Sequence, residues 1–260
     1  MQPEFSSTSV DGHVLTVTFD RPEQRNALHT AANQELGAIF DEFERNPDLW
    51  VAIVTGAGDE AFCAGTDVEA TWTKGSLPGS ASGFAGLATR HRRKKPVIAA
   101  VEGLALGAGF EAALACDIIV AGESSSFGLT QPRSGKAALC GGIQRLVEEL
   151  GPKRAHALLL TARRISAREA AAIGIVAEVV PDGEALAAAR RWAGEIAECS
   201  PTALAATKAI VQSLDGHTLE HSMRDMRHLP EVRSLLSGKD AAEGQLALAE
   251  NRKPAWANPD

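Results

Sequence analysis

The 260-residue sequence predicts an α/β fold: a core of alternating strands and helices over residues 1–195, then a helical region over 196–260. Three observations predict it. Short β-branched runs recur between segments whose apolar residues repeat every three or four positions. Glycine and proline clusters mark the boundaries between them. From residue 182 onward the strand signal stops and the helical period continues.

His13–Phe19 alternates apolar and polar residues with many β-branched side chains, as a half-buried strand requires. Asp20-Arg21-Pro22-Glu23 reads as a turn, with proline presetting the backbone angle. Thr30 is expected to N-cap a helix whose apolar positions Leu36, Ile39, Phe40 and Phe43 follow the 3.6-residue period. Trp50–Thr55 reads as a second strand, closed by Gly56-Ala57-Gly58. Residues 74–83, rich in Gly, Ser and Pro, read as a loop. Residues 97–101 form the next expected strand, followed by a glycine-rich turn and a helix carrying Glu111. The apolar run Ile118–Val120 comes next. Helices are expected around 143–150, 153–161 and 166–173, with a strand near 175–180. No repeat of fixed period is present.

Composition excludes several chemistries. The sequence has no Tyr, so no Tyr acid, Tyr nucleophile or Tyr–Lys dyad of the short-chain dehydrogenase kind exists. Its four Cys stand singly at 63, 116, 140 and 199, which reads as reduced thiols in a cytoplasmic protein. The 26 Lys and Arg against 33 Asp and Glu leave a net charge of −7, which argues against bulk nucleic-acid binding. Met-Gln-Pro-Glu-Phe-Ser-Ser has neither the basic nor the apolar region of a secretory signal. The span-like stretch 96–122 contains Glu102, Glu111 and Asp117. A mid-span acid costs about 2.5–3.5 kcal/mol on insertion scales, so a bilayer span is rejected. Acids in an apolar, glycine-rich stretch of a soluble protein are costly unless used or paired, and so point to a site.

Three motifs read as ordinary structure. Gly56-Ala57-Gly58-Asp59-Glu60-Ala61 fits a dinucleotide fingerprint, but no helix start follows and no acid lies at residues 71–101. His217-Thr218-Leu219-Glu220-His221 fits an inverted zinc motif but lacks an evident third ligand, so it reads as a solvated helix face, with no metal expected. Arg90-His91-Arg92-Arg93-Lys94-Lys95 reads as a solvated helix end; its functional reading is a contact with a polyanion such as coenzyme A, or with a partner subunit.

Two stretches suit stabilisation of an oxyanion. Ala61-Phe62-Cys63-Ala64-Gly65-Thr66-Asp67 and Gly103–Glu111 each place small residues where a loop enters a helix. Backbone N–H groups there are unpaired, and two converging on one carbonyl make an oxyanion hole. With Asp20–Leu28, Lys95–Gly103, Gly107–Asp117, Gly141–Leu146 and Ser200–Leu204, these stretches make the sequence resemble the enoyl-CoA hydratase/isomerase (crotonase) family over nearly its whole length. Within that family the wording is most similar to carnitinyl-CoA dehydratases, at Gly83–Leu87 and Gly109-Phe110-Glu111.

The resemblance implies a crotonase-like spiral of ββα turns, with a helical C-terminal region that builds a homotrimer or dimer of trimers. It implies an acyl-CoA substrate and no separate cofactor. The N–H groups of Thr66 and Ala108 would hold the thioester oxygen. Family members usually carry Gly where Ala108 stands; the donor is backbone, so Ala serves if its φ is compatible. Arg25, Ala27, Ala64, Asp67 and Val68 would lie along the CoA, with Thr130 and Leu139 also lining the substrate site. The family's hydratases use two glutamates. Glu111 aligns with the first, and Gln131 falls where the second would stand. An amide cannot exchange a proton as a carboxylic acid does. The expected function is a hydratase/dehydratase-like lyase with Glu111 as its acid/base and Gln131 placing water. The alternatives are isomerisation or another acyl-CoA reaction using Glu111 only, and acyl-CoA binding without turnover. Glu102 and Asp67 are the other carboxylates considered.

Overall fold

A computed structural model describes residues 3–67, 81–214 and 218–258. Val68, most of the expected 74–83 loop and His217 lie outside these residues.

The chain opens with a hairpin, β1 (Ser6–Asp11) and β2 (Val14–Phe19), and continues through α1 (Thr30–Arg45) to β3 (Val51–Gly56) and β4 (Ala61–Cys63). Next come β5 (Val97–Val101), β6 (Leu104–Leu106), α2 (Ala108–Leu114), β7 (Ile118–Gly122) and β8 (Ser126–Gly128). Helices α3 (Gly142–Leu150) and α4 (Pro152–Leu159) precede β9 (Ile165–Ser166), α5 (Ala167–Ala172) and β10 (Glu178–Val180). The rest is helical: α6 (Ala185–Ala197), α7 (Pro201–Gln212), α8 (Leu219–Asp225), α9 (Pro230–Ser237) and α10 (Asp240–Ala249).

The strands form two sheets, one in the order β1-β2-β3-β5-β7-β10 and one in the order β4-β6-β8-β9. Successive pairs β3/β4, β5/β6 and β7/β8 place their first strand in the larger sheet and their second in the smaller. The chain therefore climbs both sheets together, as a spiral of ββα turns does. Within the larger sheet β2, β3, β5, β7 and β10 run parallel. Its central strands are covered on both faces, which is why they read as continuous apolar runs rather than as alternation. One face packs Val17, Val54 and Ala99 with Phe40 and Phe43 of α1. The other packs Ile53, Ile98 and Val120 against Ala185, Ala188, Ala189 and Ala193 of α6. Alanines let α6 lie close to the sheet.

Several sequence expectations are corrected. The N-cap of α1 is His29, whose Nδ1 accepts the Ala32 N–H at 3.0 Å; Thr30 is the first helical residue. Strand β1 is exposed along five of its six residues and so shows no alternation. Strands β4, β6 and β8 have three residues each, too few to show a period. The strand expected over 175–180 is confined to Glu178–Val180.

The basic run is not a solvated helix end. It is a bend entering β5, with Arg93 and Lys95 buried and Arg92 and Lys94 exposed. The Lys95 Nζ donates to Phe43 O and Asn46 O at the end of α1, at 2.7 and 2.6 Å. Arg93 donates to Ala115 O at the end of α2. Arg90 donates to Gly37 O and pairs with Asp41. The cations do serve helix C-termini, but those of other helices.

Two of the three acids in the apolar stretch are structural. Glu102 accepts the Ala185 N–H at 2.9 Å, at the start of α6. Asp117 accepts the Val97 N–H at 2.8 Å and pairs with Lys208. The remaining acid, Glu111, hydrogen-bonds Gln131 and the backbone at Cys140 and Gly142. Helix α2 reaches the smaller sheet through Gly109, where a Cβ would stand 2.1 Å from Cys63 O. Gly109→Ala is therefore expected to destabilise the fold by about 1–3 kcal/mol, the usual cost of overpacking. Gly194, exposed in α6, gives the opposite sign, since a methyl there would meet no heavy atom within 4 Å. Gly194→Ala should stabilise by about 0.5–1 kcal/mol through helix propensity. Urea unfolding of both variants measures the pair.

Candidate active site

Strands β4 and β6 are parallel neighbours, so the segments leaving them run side by side. Gly65 follows β4 with φ 107°, and a Cβ there would lie 2.9 Å from Leu106 O and 3.3 Å from Ala108 N. This contact brings Thr66 beside the start of α2. Other N–H groups around Thr66 in this segment are engaged: Ala64 donates to Arg25 O at 2.9 Å and Asp67 to Leu28 O at 3.1 Å. Leu28 in turn donates to Gly65 O at 2.9 Å. Among the described residues, the Thr66 and Ala108 N–H groups have no backbone acceptor.

Gly107 makes the turn from β6 into α2 with φ 55° and ψ −126°. Its N–H donates to Gly128 O at 2.8 Å, which ties the turn to β8. Ala108 is the first residue of α2 and does not have a positive φ. The unusual backbone angle falls on Gly107, so Ala at 108 carries no strain.

A cavity of about 440 Å³ opens between these segments, walled by Thr66, Ala108, Glu111, Gln131, Leu139 and Cys140. Thr130 and Ala64 also border it. Glu111 is 1 % exposed, and its carboxylate is held by three donors. Its Oε1 accepts the Cys140 N–H at 2.8 Å and the Gly142 N–H at 2.9 Å. Its Oε2 accepts from Gln131 Nε2 at 2.7 Å. Gly142 is required by this packing, since a Cβ there would lie 2.8 Å from Glu111 Cγ. Burial pushes the Glu111 pKa up to about 7, against the opposing pull of the Gly142 and Cys140 N–H groups, the Arg145 charge and the Gln131 amide. Arg145 is held by Ala88 O at 2.9 Å and Cys140 O at 3.4 Å. The Cys140 thiol is pushed up to about 12 by burial and then by Glu111, so it is no thiolate nucleophile.

Gln131 opens a 3₁₀ turn, Gln131–Ser134. Its Oε1 is out of contact with solvent and accepts no hydrogen bond among the described residues.

Arg25, Ala27 and Asp67 do not wall the cavity. The Arg25 backbone is left-handed at φ 52°, and its guanidinium meets Glu60 at the surface at 2.5 Å. Arg21 joins the other two, donating to Ala27 O and pairing with Asp67 at 2.9 Å. Of the other carboxylates considered, Asp67 is thus engaged by Arg21 and Glu102 by α6. Glu111 is the carboxylate of the cavity among the described residues. Glu220 and His221 lie exposed on α8, and no cluster of three metal-ligating side chains exists among the described residues. Sequence reasoning missed Arg21, Arg145 and the two backbone donors on Glu111. Arg21 and Arg145 stand inside the family-like motifs, but nothing in a sequence shows which backbone N–H faces a carboxylate.

The family model described as enoyl-CoA hydratase/isomerase matches residues 9–259. The chain belongs to this family. A carnitinyl-CoA dehydratase of Proteus mirabilis is 40 % identical over 250 residues, 94 % of this chain and 95 % of that protein. One from Escherichia coli K12 is 40 % identical over 251 residues, 95 % of each. A probable enoyl-CoA hydratase/isomerase from Mycobacterium abscessus superposes with a TM-score of 0.90 at 36 % identity, covering 99 % of this chain and 100 % of that one. A carnitinyl-CoA hydratase from Mycobacterium avium gives 0.77 at 38 % identity, covering 99 % and 100 %. The crotonase fold is thereby established. Among the described residues, no helix is long and apolar enough to cross a membrane.

The Glu111 carboxyl has its ordinary value of 4.5 when unfolded and about 7 when folded, so folding favours its neutral form. Its contribution to stability is full below the unfolded value and is lost as pH rises through 7. Glu111→Gln has no such loss. Relative to the natural chain it should gain on the order of 2 kcal/mol between pH 5 and pH 8. Denaturant unfolding at the two pH values measures this.

Proposed function

We propose that the protein is a hydratase/dehydratase-type lyase acting on an acyl-CoA thioester. The observation that carries the reading is one cavity containing two backbone N–H groups without a backbone acceptor among the described residues and a buried carboxylate poised near neutrality. The thioester oxygen accepts from the Thr66 and Ala108 N–H groups. That withdraws charge from the carbonyl and stabilises an enolate. In hydration, the oxygen of water attacks C3, Glu111 takes the water's proton, and Glu111 then returns that proton to C2 of the enolate. In dehydration the same bonds break in reverse: Glu111 takes the proton from C2 and gives it to the hydroxyl departing from C3, which leaves as water. Glu111 is the group that exchanges protons, and Gln131 positions water without titrating. Neither step calls for a separate cofactor, since CoA is part of the substrate.

Arg25, Ala27, Ala64 and Asp67 form the path of the CoA in this reading, with Thr130 and Leu139 toward the acyl group. The names of the relatives put carnitinyl-CoA among the first substrates to try. Exposed leucines on the C-terminal helices, Leu219, Leu236 and Leu248, suit burial in a homotrimer or dimer of trimers. Gln131 supports a second reading. One carboxylate is enough to carry a proton between C2 and C4, the requirement for double-bond isomerisation.

Incubation with crotonyl-CoA, followed by loss of the conjugated enoyl thioester absorbance, tests the proposal. Turnover abolished by Glu111→Ala is expected. Binding without turnover, across chain lengths and crotonobetainyl-CoA, would overturn it. Gln131→Glu should raise the hydration rate by about 10-fold or more, because a positioned acid or base contributes roughly 10²–10⁴.

A further inference from the structure

Gln131 touches Glu111 by one hydrogen bond, and the other end of its amide has no partner among the described residues. Glu111 Oε1 is saturated by two fixed backbone donors, the Cys140 and Gly142 N–H groups. A proton arriving on this carboxylate therefore goes to Oε2, the oxygen that faces Gln131. In the ionised state the contact is sound, since Nε2 donates to a carboxylate oxygen. In the neutral state the same orientation sets an O–H against an N–H, two donors with no acceptor between them. Turning the amide over brings Oε1 of Gln131 to Glu111 and lets it accept the new O–H. The torsion involved is a terminal sp³–sp² bond with broad, roughly two-fold wells, so the turn meets little intrinsic resistance. A protein donor on Gln131 Oε1 would hold the amide in place. None exists among the described residues.

We propose that Gln131 is a positioning residue whose amide orientation follows the proton on Glu111. The end turned away from Glu111 then changes character with the same proton. It is a C=O acceptor while Glu111 is a base and an N–H donor while Glu111 is an acid. That end lies out of contact with solvent, so it meets a water or a hydroxyl only where bound substrate brings one to it. A second glutamate could offer this only by carrying its own proton. The coupling itself requires no substrate. Its use on water or hydroxyl rests on the lyase reading above.

The charged and titratable groups around Glu111 are Arg145 on α3, the Cys140 thiol beside it and Lys136 on the cavity wall. Glu149 acts on Arg145 from α3, and burial pushes it up to about 7 as well, so the test must separate the two acids. Protein labelled with ¹⁵N on glutamine side chains, without ligand, provides that test. The Gln131 amide signals are assigned by their loss in Gln131→Met. They are expected to move between pH 5 and pH 9 with a midpoint near 7, and to stay fixed in Glu111→Gln. Signals that do not move would overturn the proposal, as would unchanged movement in Glu111→Gln, which would assign the titration to Glu149. A second measurement does not depend on that variant folding. The ¹³C carboxyl midpoint of Glu111 should rise by less than about 0.5 on the pH scale in Gln131→Met, because the amide serves both states, donating to the carboxylate and accepting from the acid. A rise of about 1 or more would mark a fixed donor and overturn the coupling. Neither readout involves turnover, so a catalytically silent protein would count against the lyase reading and leave this one standing.

Discussion

The structure is organised around a carboxylate taken out of water. Glu111 keeps 1 % of its surface exposed, yet its three hydrogen bonds all favour its ionised form. Desolvation outweighs them, and the balance leaves the group able to give and take a proton near neutrality. Much of the local chain serves this balance. Gly142 leaves room for the side chain, the 138–140 segment brings in a second N–H, and Arg145 secures that segment by its carbonyl.

The other half of the site comes from sheet register. Because β4 and β6 run parallel and adjacent, the backbone beyond each arrives at the same place. Glycines allow a closeness that side chains would prevent. Gly65 lies against Leu106 and Ala108, Gly109 against Cys63, and Gly107 carries the positive φ that releases the Ala108 N–H. The proposed oxyanion hole is thus a property of backbone geometry, tolerant of Ala at 108 and intolerant of any side chain at Gly65 or Gly109. The net charge of −7 places no burden on it, since the site uses no cationic side chain for the thioester oxygen.

The central strands β3, β5 and β7 were legible in the sequence because burial on both faces writes apolar runs, whereas the exposed β1 was not. The smaller sheet was not, since three residues cannot display a period and its pairing is wholly non-local. Glu111, Thr66, Ala108 and Gln131 were legible as a set through motif wording, and the structure brings them to one cavity. The acids at 102 and 117 looked equivalent to Glu111 along the chain. Only tertiary structure shows one accepting an α6 N–H and the other pairing with a lysine on α7. The basic run misled for a related reason: alternation along a bend buried Arg93 and Lys95 beneath carbonyls contributed by other helices.

The central claim is that two backbone N–H groups and one carboxylate suffice to create and quench an enolate at a CoA thioester. Proton exchange at C2 of butyryl-CoA in deuterated water tests it most directly, because that molecule has neither a double bond nor a leaving group. The predicted result is loss of the C2 proton signal, catalysed by the protein. The rate should rise with pH to a plateau around the Glu111 midpoint of about 7 and fall by about 10²–10⁴ in Glu111→Ala. Exchange no faster than in buffer, or unaffected by Glu111→Ala, would contradict the claim.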